Sequence, residues 1–151
     1  MISISIKNQQ ELVEIDYAPL KAAATAVFEG EGVPSAKVTF AFFDNPTIHA
    51  MNLRHLQHDE PTDVLTFPYS IRGAAKLEGD VAIGAHMAKS EAEERGHPLI
   101  AELSLYVIHG CLHLCGYNDK KPEDAREMRV KEREYLAKVG LPDIVEDGED
   151  G

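Results

Sequence analysis

The chain contains only two cysteines, Cys111 and Cys115, in 151 residues. Two cysteines four positions apart do not provide the disulfide framework that is typical of small secreted domains. Neighbouring turns of a helix also present the two sulfurs in poor geometry for a bond to each other. The cysteine content therefore indicates a reducing compartment, and we expect the protein to be cytoplasmic.

Long apolar runs are missing as well. No segment has the roughly 20 consecutive apolar residues that a membrane-spanning helix needs. The N-terminal segment Met1–Ile6 alternates isoleucine with serine instead of forming the apolar centre of a signal peptide. These two absences predict a protein that makes no contact with a membrane, in agreement with a cytoplasmic location.

Positive charge is scarce, since 15 Lys and Arg stand against 26 Asp and Glu, for a formal net charge of -11. Affinity for phosphate groups normally depends on Lys and Arg, so the composition argues against a generic nucleic-acid binder. Any contact with RNA must come from a local patch or through a partner. Part of the negative charge lies in residues 142–151, which we expect to be a disordered tail. Residues 1–141 are predicted to form one domain with an apolar core.

Hydrophobic periodicity predicts four strands and about five helices. The strands are expected at residues 2–7, 37–43, 62–67 and 79–83, and the helices at 19–28, 46–58, 84–95, from about 99 and from 122. Asn45 is expected to cap the second helix, the strand at 62–67 to be central, and residues 70–78 to form an irregular loop. We therefore predict a single α+β domain with a small four-stranded mixed sheet, its helices packed around the one that begins near Leu99.

That central helix carries two histidines, His109 and His113, in an otherwise apolar stretch. At about 100° per residue, the second histidine lies only about 40° round the helix from the first and one turn further along. Both imidazoles therefore leave the same face and are predicted to share one metal ion. The simpler alternative is a core helix whose histidines only form hydrogen bonds to the backbone.

A carboxylate follows the histidines after a predicted reversal of the chain. Gly116 supplies the left-handed turn that ends many helices, and this turn would return Asp119 to the histidine face. Two imidazole nitrogens and one carboxylate oxygen leave a coordination position for water or substrate, as in catalytic sites. We therefore predict a divalent metal site formed by His109, His113 and Asp119, with zinc as the expected ion.

Two neighbouring residues restrict the chemistry of this site. Zinc proteases of the His-Glu-x-x-His type carry their general base directly after the first histidine, where this chain has Gly110. A metal-dependent peptidase or amidohydrolase is therefore the least favoured interpretation. Cys111 and Cys115 lie about 200° and about 240° round the helix from His109, so we interpret them as core residues and not as ligands.

The run from His109 to Asp119 resembles the signature of the YbeY family, written His-Gly-x-Leu-His-Leu-x-Gly-Tyr-Asp-His. Further residues match in the family's order along the chain: Asn52, the run Pro61–Pro68, Gly79-Asp80-Val81 with Ile83, Glu102-Leu103, and Met128. Members of that family are regarded as bacterial metal-dependent endoribonucleases of ribosomal RNA maturation and ribosome quality control. The resemblance implies a single-strand-specific endoribonuclease whose partners are an rRNA precursor and the ribosomal subunit.

The resemblance also suggests residues that contact the substrate. The chain departs from the family pattern at two positions. Thr62 falls in the family's Thr-Asp-Val motif and is a candidate for substrate contact. Leu56 stands where the family has a functional arginine, so Arg54, two residues away, is the candidate to replace it. Asp119 stands at the family's third histidine, and Lys120 beside it is a candidate for attracting phosphate.

Two hypotheses of different classes follow. In the first, a metal-activated water attacks the phosphodiester bond of RNA. In the second, the chain is a ribosome-assembly factor whose metal is mainly structural, as the departures at Leu56 and Asp119 and the acidic charge suggest. Glu102, about 20° round the helix from His109 and nearly two turns before it, is expected either to orient a ligand or to lie near solvent.

Overall fold

The structure, a computed structural model, describes residues 1–56, 64–71, 74–118 and 120–145, and for residues 52–56 it describes the backbone alone. Thr62 and Asp119 lie outside the described residues, and so do the side chains of Arg54 and Leu56. Within this part of the chain the elements are β1 (Ile2–Gln9), α1 (Tyr17–Gly30), β2 (Ser35–Phe43), α2 (Asn45–Leu56), β3 (Val64–Pro68), β4 (Lys76–Gly84), α3 (Ala85–Arg95), α4 (Leu99–Leu114) and α5 (Pro122–Lys138). The predicted α+β class is confirmed.

The four strands form one mixed sheet in the order β1-β2-β4-β3. Strand β2 pairs in parallel with β1 and β4, whereas β3 pairs antiparallel with β4. The prediction of a central strand at 62–67 is wrong, because β3 lies at the edge of the described sheet and β4 takes the inner position.

Strand β4 is longer than its sequence suggests. It begins at Lys76, inside the segment predicted to be an irregular loop, because the parallel ladder with β2, which pairs Ser35 with Lys76, outweighs its weak strand composition. Gly79 lies in it at a tight contact, since a Cβ there would lie 3.0 Å from both Leu114 Cδ2 and the Phe67 carbonyl oxygen. Helix α4 and strand β3 therefore both approach β4 closely at this glycine.

The main core lies between one face of the sheet and the helices α1, α3, α4 and α5. Helix α4 packs closely on the sheet at Gly110, where a Cβ would lie 2.7 Å from Val81 Cγ1 and 3.5 Å from Val64 Cγ1. A smaller apolar cluster of Ile48, Leu65 and Ala82 joins α2 to the opposite face. The central helix was therefore predicted correctly, and it rests directly on β4 and β3.

Two local predictions need correction. Helix α2 is capped by Asp44 and not by Asn45, because the Thr47 backbone N–H donates to Asp44 Oδ1 at 2.9 Å. The first residues of the predicted tail pack on the domain, where Ile144 is 7% exposed and Arg133 Nε donates to Asp143 Oδ2 at 3.2 Å. Residues 143–145 of the predicted tail therefore contact the domain, and residues 146–151 lie outside the described part. No helix of the described ranges has the length and apolar character to cross a membrane.

Candidate metal centre

Helix α4 holds both histidines on one side, where each is half-buried. The rings of His109 and His113 meet edge to face, with centroids 4.6 Å apart and planes at 85°. Their Nε2 atoms lie 3.0 Å from each other. The i, i+4 spacing thus brings the two nitrogens together as predicted.

The other ring nitrogen of His109 is bonded to a buried carboxylate. His109 Nδ1 lies 2.6 Å from Glu132 Oε2, and Glu132 is only 7% exposed on α5. An ionised carboxylate only accepts hydrogen bonds, so Nδ1 donates to it, and in the neutral ring Nε2 then carries the lone pair. A carboxylate on the far nitrogen is the usual support of a metal-binding histidine, because it fixes the ring and makes it more basic.

The other ring nitrogen of His113 is bonded to a backbone carbonyl. His113 Nδ1 lies 3.0 Å from the carbonyl oxygen of Tyr117, which cannot donate. The chain can return to this position because Gly116 adopts a φ of 108° and the Tyr117 N–H donates to the Leu112 carbonyl at 3.0 Å. The glycine turn predicted from the sequence is confirmed, and it gives His113 the same tautomer as His109.

The two nitrogens fit one shared ion. Two nitrogens bound to one zinc at about 2.0–2.1 Å each cannot lie more than about 4.2 Å apart, and the observed 3.0 Å satisfies this limit. With both rings neutral and protonated at Nδ1, the two Nε2 atoms present lone pairs to each other, an arrangement that a shared cation stabilises; without an ion, a proton on one Nε2 makes this contact a hydrogen bond. Among the described residues, no group of three His, Cys, Asp or Glu side chains forms a complete site. The third ligand predicted at Asp119 lies outside them and stays a prediction.

The structure describes the residues predicted to contact the substrate only in part. Lys120 is exposed after α4, and its backbone N–H donates to Asn118 Oδ1 at 3.2 Å. The backbone of Arg54 belongs to α2, whose Ile48 packs on the sheet face opposite to α4. The roles of Arg54 and Thr62 therefore stay predictions.

Glu102 is neither near solvent nor bonded to His109. It is 3% exposed, and its Oε1 lies 2.9 Å from His97 Nδ1. The solvent alternative is wrong because the turn before α4 places His97 over this carboxylate. His97 and Glu102 thus form a second pair of a half-buried histidine and a buried glutamate on the same helix.

Glu132 is the residue of this site that sequence reasoning missed. It lies in the buried stripe of α5 together with Met128, Tyr135 and Leu136. Positions i, i+4, i+7 and i+8 form one helix face, so a glutamate within this stripe is a charge placed among apolar neighbours. That pattern predicts a buried carboxylate in need of a donor.

Both cysteines are free thiols, and neither is bonded to the histidine site. Cys111 is fully buried, and burial raises the pKa of its thiol. Burial, with the nearby charge of Glu31, raises the pKa of Cys115 to about 12. We expect iodoacetamide at about pH 8 to label the folded protein at least about 100-fold more slowly than the urea-unfolded protein, because the thiolate is the reactive form.

Mass spectrometry of the alkylated chain measures this labelling. Rapid labelling of the folded protein would contradict the placement of both thiols.

Comparison with known proteins identifies the family of the chain. The family model described as "Endoribonuclease YbeY" matches residues 5–140. The chain is similar to an endoribonuclease YbeY of Carboxydothermus hydrogenoformans, with 36% identity over 90% of this chain and 96% of that one. A relative of the same name from Pelotomaculum thermopropionicum is 35% identical over 91% of this chain and 97% of its own length.

The fold is also similar to one solved by solution methods. A Thermotoga maritima protein aligns with a TM-score of 0.64 and 26% identity, over 92% of this chain and 89% of that one. The matching family model spans nearly the whole described domain, including both histidines and Glu132. The chain therefore belongs to the endoribonuclease YbeY family.

Proposed function

We propose that this chain is a metal-dependent endoribonuclease that cuts single-stranded RNA in ribosomal RNA maturation and ribosome quality control. The observation that carries the proposal is the pair of histidines whose Nδ1 atoms are both held by acceptors, with the Nε2 atoms 3.0 Å apart. Membership of a family named for endoribonuclease activity supports the choice of RNA as substrate.

His109, His113 and Asp119 are proposed to hold one divalent ion, expected to be zinc. Such an ion supplies a water acidified towards neutrality and polarises a phosphoryl oxygen. The chain's own contribution is orientation: Glu132 keeps the proton of His109 at Nδ1, and the Tyr117 carbonyl does the same for His113. Neither ring can turn without losing its bond.

The proposed substrate contacts are Thr62, Arg54 and Lys120. Cleavage of a phosphodiester develops negative charge, which a positioned cation stabilises. Arg54 and Lys120 are the candidates for that cation, and Thr62 for a hydrogen bond to the RNA. Of these three residues, Lys120 is the one whose side chain the structure describes, and this side chain is exposed. A substitution of Lys120 therefore tests its role directly.

The negative net charge of the chain favours RNA that a partner brings to the site over RNA bound directly from solution. With a net charge of -11, the protein as a whole repels polyphosphates, and salt-dependent capture of free RNA is disfavoured. We propose that the ribosomal subunit is the partner that brings an rRNA precursor to the site, in the cytoplasm.

Circular single-stranded RNA provides the test, since a circle without ends is cut only by an endonuclease. The zinc-loaded protein is expected to linearise the circle. The same protein stripped by a chelator is expected to be inactive until zinc is restored, and a fully paired duplex of equal length is the control. A folded protein with stoichiometric zinc that leaves the circle intact, both alone and with the ribosomal subunit added, contradicts the proposal.

A second candidate is an assembly factor whose metal is structural. The departures at Leu56 and Asp119 favour it, because they remove a cation and a histidine that the family pattern supplies. It predicts that the zinc-loaded protein binds ribosomal subunits but leaves RNA intact, and that metal removal lowers the melting temperature. The circular RNA assay separates the two candidates.

A further inference from the structure

We infer that Glu31 is a positioning residue for the metal centre, acting through Tyr117. This inference rests on the proposed function, because it concerns the same ion. Glu31 ends α1, far from both histidines in sequence, and touches neither of them. What it fixes is the segment after α4 that supports His113.

The carboxylate of Glu31 contacts the polar groups of three other side chains. Tyr117 Oη donates to Oε1 at 2.8 Å, Tyr135 Oη donates to Oε2 at 2.5 Å, and Lys131 Nζ lies 3.4 Å from Oε2. The side chain of Glu31 is only 14% exposed. Its burial alone would raise its pKa, but the bonds from Tyr135 and Tyr117 and the charge of Lys131 outweigh burial and lower the pKa. Glu31 is therefore a charged junction of α1, α5 and the turn after α4.

Tyr117 connects this junction to the histidines. Its hydroxyl is bonded to Glu31, while its backbone carbonyl accepts the hydrogen bond from His113 Nδ1 at 3.0 Å. A tyrosine held at both its ring end and its backbone cannot shift along the helix axis without losing one of the two bonds.

Tyr135 provides the matched control. It donates to the same carboxylate, it is fully buried, and its backbone lies inside α5 and supports neither histidine. Tyr135→Phe and Tyr117→Phe each remove one hydroxyl and one bond to Glu31. If Glu31 serves stability alone, the two substitutions are equivalent for metal binding. If it positions His113, only the substitution of Tyr117 weakens the metal.

The experiment measures zinc affinity by chelator competition and the visible absorption of the cobalt-substituted protein. Tyr117→Phe is expected to lower the affinity for zinc by about 10-fold or more, the lower range for the loss of a group that orients a ligand. It is also expected to change the visible absorption bands of the cobalt-substituted protein. Tyr135→Phe is expected to lower the melting temperature by a similar number of degrees, with zinc affinity within about 3-fold of the wild type. Glu31→Gln, with one acceptor oxygen for two hydroxyls, is expected to weaken zinc as well.

Equal zinc affinities in Tyr117→Phe and Tyr135→Phe, with wild-type cobalt bands in both, overturn the inference and leave the metal centre intact. A wild type that holds no metal overturns the metal centre itself, and the inference with it. If Tyr117→Phe does not fold, Glu31→Gln decides, since wild-type zinc affinity in that variant overturns the inference.

Discussion

Replacing His109 by alanine is expected to abolish stoichiometric metal binding and to lower RNA cleavage by at least about 100-fold. Loss of an outer group that orients a ligand already costs about 10- to 100-fold in affinity or activity, and here the ligand itself is lost. The substitution also leaves Glu132, 7% exposed, without the donor that lies 2.6 Å from it. His113→Ala is expected to have the same effect on metal and cleavage, since its Nε2 faces that of His109.

His109→Ala removes both a proposed metal ligand and a hydrogen bond to a buried carboxylate, so its control must remove only a bond of the second kind. His97→Ala does so, because the His97 side chain is 21% exposed and bonded to a glutamate side chain that is 4% exposed, against 25% and 9% in the pair of His109 and Glu132. Both substitutions leave a buried carboxylate without its histidine donor, which costs at least about 1–3 kcal/mol. We expect both to lower the free energy of unfolding, and only His109→Ala to remove zinc and linearisation of circular RNA.

Elemental analysis and the circular RNA assay, performed on the same preparations, measure the two effects. Zinc retained at one equivalent by His109→Ala would show that the ion is held elsewhere. Full cleavage by a metal-free His109→Ala would place the catalytic centre outside the histidine pair.

Replacing Gly110 by glutamate is expected to destabilise the fold by more than about 4 kcal/mol, a range reserved for exceptional substitutions. A Cβ at this position would lie 2.7 Å from Val81 Cγ1 and 3.4 Å from Val81 Cγ2. Val81 is fully buried and has a short branched side chain, so it cannot swing aside. The glutamate would also bring an unpaired charge to the contact between helix and sheet.

A graded series tests this expectation by urea unfolding. Gly110→Ala is expected to cost about 1–3 kcal/mol by overpacking alone. Gly84→Ala is the matched control, because a Cβ there meets Met87 Cβ at 3.5 Å and Ile48 at 3.6 Å, which are ordinary contacts. It should change the stability by less than about 1 kcal/mol. A stable Gly110→Glu variant would mean that α4 can move away from β4.

The same contact explains why this helix cannot carry the protease arrangement. In the His-Glu-x-x-His pattern a glutamate follows the first histidine, and that position here faces the sheet. The sequence shows only that the base is missing. The structure gives the physical reason, which is that helix and sheet approach too closely for any side chain.

Local patterns predicted most of the fold and the core of the site. The i, i+4 histidines, the turn at Gly116 and the five helices depend on spacing and backbone preferences within a few residues, and the structure has them within about two residues at most helix ends. Strand β4 was predicted too short, because its extension at Lys76 depends on pairing with β2, about 40 residues earlier in the chain.

The carboxylates that hold the histidines and the turn after them could not be predicted from local sequence patterns. Glu132 is 23 residues from His109, and Glu31 is 86 residues from Tyr117. Which carboxylate meets which donor is decided by how α1, α4 and α5 pack. An acidic chain offers many carboxylates, 26 in all, and the choice among them is a tertiary property.

The long separation of these partners has a consequence for the timing of activity during synthesis. Glu31 is translated 104 residues before Tyr135, which donates to it. At roughly 5–20 residues per second, this interval is about 5–20 s. A growing chain that ends before α5 lacks Glu132, the carboxylate that holds His109 Nδ1. The ribosome that produces this proposed RNA-cutting protein is therefore exposed to the complete proposed metal site only after nearly the whole chain has been made.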